Sequence, residues 1–226
     1  RIPISKKRKL IAQRLVASRQ LTVPVTLTTK ADATNLVNLR NQFKSTNGTH
    51  PIPSFQDIIT KLVAEVLKEH MFLAGRWDED VIVLPAHHEL HIGMAVDTED
   101  GLLVPVVRFA DGKSLSHISA EVKEFGAKAK AKKLQPADWE GSTFTVSNLG
   151  MFGIDEFTSI INSPDGAILS VGAIQEVPVV KNGAVVPGNV MKLTLGCDHR
   201  VVDGATGAAF LQTLKGLLEE PIRLLA

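Results

Sequence analysis

The chain has 226 residues, of which 44% are hydrophobic and 22% charged, with a formal net charge of +1. These values are ordinary for a globular fold and argue against a general binder of polyanions. No run of about 18 apolar residues occurs, so no membrane-spanning helix is expected. The single cysteine excludes an intrachain disulfide and favours a reducing compartment.

Helix and strand signals alternate along the first part of the chain. Ser5 can cap a helix over roughly residues 6–19, and Thr34 can open a second helix that stops at Asn47-Gly48. Alternation at 23–27 predicts an edge strand between them. A capping-box spacing at 54–57 precedes a strong apolar stripe, which predicts a deeply packed third helix.

Strand patterns dominate the middle of the chain. Residues 90–96 and 102–107 predict a hairpin that turns at Glu99-Asp100-Gly101, and Ser116 can start a helix. A strand is predicted at 142–149, and 166–174 is apolar throughout, as in a strand covered on both faces. The sum is a single domain of mixed α and β structure.

A strand, a turn and a helix are predicted near the C-terminus. The strand covers 190–195, and apolar spacing at Ala208, Leu211, Leu214 and Leu218 predicts the helix. His199 therefore follows a strand end and Asp203 precedes a helix. A histidine held in this way suits acid–base chemistry. The alternative is an N-cap at Asp203 and an ordinary half-buried His199.

Two stretches carry a resemblance to a known family. His199-Arg200-Val201-Val202-Asp203-Gly204 matches the H-x-x-x-D-G motif of the dihydrolipoamide acyltransferases, the core subunits of the 2-oxo acid dehydrogenase complexes, and of the related chloramphenicol acetyltransferases. Residues 143–153 resemble the serine-bearing strand of the pyruvate dehydrogenase branch. Shorter matches lie at 93–97, 101–106 and 160–164. The resemblance covers essentially the whole chain in the expected order.

The resemblance implies an α/β fold, a chloramphenicol-acetyltransferase-like sandwich with helices packed on a mixed sheet, and it implies an activity. Residues 1–226 would form one catalytic domain without the family's lipoyl and peripheral-subunit-binding domains. It would transfer acetyl between dihydrolipoamide and coenzyme A, with His199 as general base and Ser147 as oxyanion donor. Ser147 is not expected to be a nucleophile, because no G-x-S-x-G elbow surrounds it.

The resemblance leaves the role of Asp203 open. It could orient the imidazole, cap its helix or pair with a cation, and the family pattern favours a cation from the first helix. Arg8 is the best-placed candidate to support the site in this way, with Lys7 and Lys9 as alternatives.

Partners and compartment follow from the same resemblance. A homotrimer with active sites shared between neighbours is expected, and in the family such trimers pack into a larger cubic or icosahedral core. Lipoyl domains and the pyruvate dehydrogenase and dihydrolipoamide dehydrogenase components would be its partners. The compartment would be the cytoplasm of a bacterium or the mitochondrial matrix of a eukaryote.

Rival chemistries are weaker. His87, His88 and His91 lack a matching cysteine or carboxylate pattern, so no metal site is expected. Cys197 and His199 could form a thiol hydrolase pair, but the family pattern assigns His199 to a substrate thiol.

Two non-enzymatic alternatives remain. The basic first twenty residues could bind nucleic acid, although apolar residues on the same helix favour a solvated face, and neither nucleic acid nor membrane is an expected partner. Some relatives are structural cores or partner-binding proteins that lack the histidine, whereas this chain keeps it.

Overall fold

The computed structural model describes residues 1–45, 51–98 and 101–225. Its α-helices are α1 (Lys6–Leu21), α2 (Thr34–Ser45), α3 (Phe55–Leu67), α4 (Leu115–Lys130), α5 (Pro136–Trp139) and α6 (Gly204–Glu219). Its strands are β1 (Pro24–Asp32), β2 (Arg76–Asp78), β3 (Val81–Val83), β4 (Ile92–Met94), β5 (Val96–Thr98), β6 (Gly101–Leu103), β7 (Val106–Val107), β8 (Phe144–Asn148), β9 (Ala167–Val171), β10 (Gln175–Lys181) and β11 (Ala184–Asp198). Short 3-10 turns cover Met71–Ala74, Ala110–Gly112, Gly150–Phe152 and Pro221–Leu225.

Seven strands form one mixed sheet. Its order is β1-β11-β9-β8-β4-β7, and β10 pairs with β11 outside this path. The β4–β8 and β8–β9 pairs are parallel, and the other pairs are antiparallel. The predicted α/β architecture with a mixed sheet is therefore confirmed, and β1 is the edge strand that its alternation indicated.

Strand β11 is the longest element of the sheet and leads directly to His199. It begins after a tight turn at Asn182 and Gly183, whose φ angles of 51° and 79° suit a two-residue hairpin loop. Its first half pairs with β10, and from Val190 onward it pairs with β1. The strand extends beyond the predicted 190–195 at both ends, because β10 pairs with its N-terminal half and β1 with its C-terminal half.

The core lies between the sheet and helices α3 and α6. The capping box of α3 is present: the Ser54 amide donates to Asp57 at 2.8 Å, and the Asp57 amide donates to the Ser54 hydroxyl at 3.1 Å. Helix α6 buries Phe210 completely, whereas Ala208 is exposed. The predicted inner face of α6 was wrong at Ala208, because the large ring of Phe210 faces the sheet instead.

Two local predictions need correction. Helix α4 is capped by Ser114, whose hydroxyl accepts from the His117 amide, and not by Ser116. The predicted hairpin at 90–107 forms in one antiparallel register, since Ile92 pairs with Val107 and Val96 with Leu103. It needs correction only in its continuity, because β4 and β7 belong to the main sheet while β5 and β6 form a separate pair. Pro105 lies at this division and cannot donate to a ladder. Asn47-Gly48 and Glu99-Asp100 lie outside the described residues.

None of the helices in the described ranges is long and apolar enough to cross a membrane.

Candidate active site

His199 sits in a backbone position fixed by three strands. It directly follows β11, and its amide donates to the carbonyl of Val23, just before β1, at 2.8 Å. The preceding amide, that of Asp198, donates to the carbonyl of Gly166, just before β9, at 2.8 Å. The side chain of His199 is exposed, and its ring makes no hydrogen bond within the described part of the chain. The imidazole is thus held by its backbone while both ring nitrogens stay available.

A partly buried ion pair, in which Asp198 is buried and Arg200 is not, braces the turn that carries His199. Arg200 donates from Nε and Nη2 to the carboxylate of Asp198, with a shortest distance of 2.6 Å, and its guanidinium lies 5.1 Å from the centre of the Trp77 ring. Burial raises the pKa of Asp198, but the hydrogen bonds from Arg200 outweigh this and hold the pKa below its usual value. Neither Asp198 nor Arg200 was predicted as a site residue, although both flank His199.

Asp203 is the N-cap of α6. Its carboxylate accepts from the Thr206 amide at 2.7 Å, and this hydrogen bond is the main reason why the pKa of Asp203 is lowered. The positive form of His199 lowers that pKa further. Of the three roles left open, the structure shows the cap, and no hydrogen bond joins Asp203 to the imidazole.

Arg8 lies on the first turn of α1. Its guanidinium is beside Gly101 at the start of β6, where an added Cβ would lie 3.7 Å from Nη2 of Arg8. The structure shows no ion pair between Arg8 and Asp203. Their pairing therefore stays a prediction. It would require Arg8 of one chain to meet Asp203 of a neighbouring chain.

Ser147 opens onto an apolar cavity of about 420 Å³. It lies on β8, and its hydroxyl is not hydrogen-bonded to any other residue that the structure describes. The cavity walls come mainly from α1, β6, α5, β8 and the segment after β8. They include Leu10, Ile11, Leu15, Leu102, Leu103, Trp139, Phe157 and Ile160. An unengaged hydroxyl in such a setting can donate to a developing oxyanion.

One chain does not bring Ser147 and His199 together. In the sheet Ser147 pairs with Ser170, which pairs with Thr194, and His199 lies five residues beyond Thr194. Five residues of extended chain span roughly 16 Å, and two strand spacings add about 10 Å sideways. Neither His199 nor Asp203 lines the cavity at Ser147. The two predicted catalytic groups therefore lie in separate regions of the protomer, too far apart to act on one substrate atom.

A buried carboxyl that the sequence analysis missed lies beneath this cavity. Asp165 accepts from the Ser142 hydroxyl at 2.8 Å and the Thr145 hydroxyl at 2.6 Å. Asn162 donates to both hydroxyls, at 3.4 and 3.2 Å. Burial raises the pKa of Asp165 to about 7, although the three polar neighbours act in the opposite direction. No sequence pattern signalled this cluster, because its members come from separate segments.

The rival sites find no support among the described residues. Burial, together with Asp198 and Asp203, raises the pKa of the Cys197 thiol to about 11, which makes it a poor nucleophile. The described ranges contain no group of three or more histidine, cysteine or acidic residues that could hold a metal ion. Nδ1 of His91 accepts from the Phe109 amide at 3.0 Å, so this ring has a structural partner.

Comparison with known proteins places this geometry in context. The family model for the 2-oxoacid dehydrogenases acyltransferase (catalytic domain) matches residues 1–226. A dihydrolipoyllysine-residue acetyltransferase component of the mitochondrial pyruvate dehydrogenase complex of Dictyostelium discoideum is 39% identical over 227 aligned positions, covering 99% of this chain and 35% of the relative. The chain spans about a third to a half of the length of the curated relatives it matches.

Solved structures agree in fold. A dihydrolipoamide acetyltransferase of Azotobacter vinelandii, investigated for the catalytic roles of a serine, a histidine and an asparagine, superposes with a TM-score of 0.95 at 33% identity over 100% of this chain and 93% of that one. The cubic core of a pyruvate dehydrogenase multienzyme complex gives 0.94 at 34% identity, with the same coverage. Chloramphenicol acetyltransferase gives 0.54 at 13% identity over 96% and 98% of the two chains. The predicted chloramphenicol-acetyltransferase-like fold is confirmed.

Proposed function

Because this chain belongs to the 2-oxoacid dehydrogenase acyltransferase family over its whole length, we propose that it transfers an acetyl group between a dihydrolipoyl thiol and coenzyme A. The observation that carries the proposal is the Ser147 hydroxyl, which is unengaged among the described residues and opens onto an apolar cavity. The rigidly mounted, exposed His199 supplies a base of the kind that thiol chemistry needs. Both residue types were investigated in the catalytic mechanism of the Azotobacter vinelandii acetyltransferase.

The reaction is a direct exchange between two thiols. His199 removes the proton from the attacking thiol, because a free thiol with a pKa near 8.5 is mostly protonated at neutral pH. The thiolate adds to the thioester carbonyl, and Ser147 donates a hydrogen bond to the oxyanion that forms. Collapse breaks the original carbon–sulfur bond, and the departing thiolate takes the proton back from His199. No acyl-enzyme forms.

The separation of Ser147 and His199 supports a site built from two chains. A neighbouring copy would have to present His199 at the mouth of the cavity that holds Ser147. Exposed apolar side chains of the kind that such a contact needs occur just beyond β8, where Met151 is 78% exposed and Phe152 64% exposed. A mean hydropathy of +0.11 also suits an assembling subunit. A trimer with three equivalent interfaces satisfies every site at once.

The proposed partners follow from this role. Lipoyl domains deliver the acetyl group, and the pyruvate dehydrogenase and dihydrolipoamide dehydrogenase components load and reoxidise them. Trimers would pack into a larger core, as supported by the likeness to a cubic multienzyme core. The compartment would be the cytoplasm in a bacterium or the mitochondrial matrix in a eukaryote.

The acyl group is expected to be acetyl. Comparing acetyl-, succinyl- and isobutyryl-CoA as donors to free dihydrolipoamide, under identical conditions, should give the highest kcat/KM with acetyl-CoA. The residues at 143–153 resemble the pyruvate branch, which is the reason for this choice. A preference for succinyl-CoA would contradict it, and transfer from none of the three would favour a non-catalytic structural core.

Mixing two inactive variants should restore activity. His199→Ala and Ser147→Ala chains are dissociated, combined in equal amounts and reassembled, with exchange verified by co-purification through a tag on one variant. In random assemblies about a quarter of the interfaces pair an intact His199 with an intact Ser147 from the neighbour. Activity well above that of either variant alone is therefore expected. Unmixed variants taken through the same treatment are the control, and no recovery despite confirmed exchange would defeat the shared site.

A further inference from the structure

Four polar side chains form a closed ring beneath the cavity that holds Ser147. Asp165 accepts from the hydroxyls of Ser142 and Thr145, and Nδ2 of Asn162 approaches the same two hydroxyls. We call Asp165, Ser142, Thr145 and Asn162 the Asp165 ring. Asp165 and Thr145 are almost completely buried, at 4% and 1% exposure, so these bonds are shielded from competing water.

Proton counting fixes the direction of every bond in the ring. Ionised Asp165 can only accept, so Ser142 and Thr145 each donate their single proton to it. Both hydroxyl oxygens are then left as acceptors. The atom of Asn162 that faces them must therefore be the NH₂ group, with its two protons, and Oδ1 of Asn162 must face away. No other described residue hydrogen-bonds to this oxygen.

The ring holds Asn162 in the wall of the cavity that also contains Ser147. Thr145 and Ser147 are two residues apart on β8, so they lie on one face of the strand, roughly 7 Å apart. Nδ2 of Asn162 lies 3.2 Å from the Thr145 hydroxyl, and Thr145, Ser147 and Asn162 all line the same cavity. A substrate whose carbonyl oxygen meets Ser147 therefore has Asn162 within the same cavity.

We propose that Oδ1 of Asn162 accepts a hydrogen bond from the amide N–H nearest the thioester in the pantetheine arm of coenzyme A, with Asp165 as the positioning residue that holds Asn162 in this orientation. The inference rests on the proposed function and assigns a binding contact within that site. In this arm only two methylene groups separate the sulfur from the amide nitrogen. The amide of a lipoyl arm lies at the far end of a longer chain and would pass beyond Asn162.

The test uses a pair of small acetyl donors that differ only at this N–H. S-acetyl-N-acetylcysteamine contains the amide, and S-acetyl-2-mercaptoethyl acetate has an ester oxygen in its place. Assays at pH 8, above the pKa of about 7 for Asp165, keep its carboxyl ionised. The assembled protein with dihydrolipoamide as acceptor should prefer the amide donor by roughly five- to tenfold in kcat/KM, as expected for one neutral hydrogen bond.

Substitutions then assign the preference to a residue. Asn162→Ala and the similarly sized Asn162→Leu should both lower the amide-to-ester ratio to near one, and having two variants guards against a folding defect in either. Asp165→Asn should give an intermediate ratio, since its NH₂ group can donate to the ring hydroxyls and no longer dictates how Asn162 points. Ser159→Ala, on the same cavity wall but outside the ring, should keep the ratio.

The possible outcomes separate three questions: whether Asn162 makes the contact, which substrate arm it contacts, and whether the protein transfers acetyl at all. A ratio near one in the parent protein, or a full ratio in a folded Asn162→Leu variant, would overturn the inference. Comparing dihydrolipoamide with the methyl ester of dihydrolipoic acid tests the other arm, and if Asn162→Leu removes a preference there instead, the contact was assigned to the wrong substrate. A parent protein without any acetyl transfer to coenzyme A or dihydrolipoamide would instead defeat the proposed function.

Discussion

His199→Ala is expected to lose roughly 10²–10⁴ in kcat for acetyl transfer between acetyl-CoA and dihydrolipoamide, because the attacking thiol loses its base. The loss should be chemical and not structural, since His199 is exposed and its turn is held by backbone bonds and by the Asp198–Arg200 pair. Added imidazole should therefore restore part of the rate, as measured in the steady state.

Asp203→Asn is the matched control for this prediction. Asparagine caps helices about as well as aspartate, so the bond to the Thr206 amide is retained while the charge beside His199 is removed. A milder loss than that of His199→Ala is expected. Equal losses would mean that Asp203 takes a direct part in the chemistry, and a His199→Ala protein within threefold of the parent would refute the base.

Ser147→Ala is expected to lose roughly 10²–10³ in kcat, about 3–4 kcal/mol of transition-state stabilisation. KM should change little, because the bond from the hydroxyl strengthens only as negative charge develops on the carbonyl oxygen. The substitution removes one oxygen from a half-buried position on β8, so the fold should be preserved, as circular dichroism and assembly size would verify.

The split between kcat and KM is the informative measurement for Ser147. Ser147→Thr keeps a hydroxyl on the same strand and should recover part of the rate if the cavity admits the extra methyl group. A Ser147→Ala protein within threefold of the parent would remove the oxyanion role. A rise in KM at unchanged kcat would instead make Ser147 a ground-state binding residue.

The two variants also test how the site is divided. Ser147 and His199 lie far apart in one protomer because three adjacent strands fix their distance through the Ser147–Ser170 and Ser170–Thr194 pairs. Bringing them together within one chain would require breaking that register. A register slip of one residue exchanges the buried and exposed sides of a strand, which is costly. In the proposed assembly the sheet stays intact, and the two residues meet between neighbouring chains.

Local sequence determined the elements whose stabilising bonds span only a few residues. The Ser5 cap and the capping box at Ser54 and Asp57 both formed as the residues predicted. Their hydrogen bonds join groups at most four positions apart, so short patterns contain the whole interaction. The motif at 199–204 and its resemblance likewise indicated the family and the fold before any geometry was known.

The tertiary structure alone decided which of these groups meet. The Asp165 ring joins β8, the residues before it and the loop that follows 160, and the Asp198–Arg200 pair acquires its bracing role only where β1 and β9 flank β11. Such contacts depend on strand order and register, which are set by burial summed over the whole sheet and not by any local pattern. For the same reason, the sequence named Ser147 and His199 as a pair of candidates, while only the register of the sheet placed them far apart within one protomer.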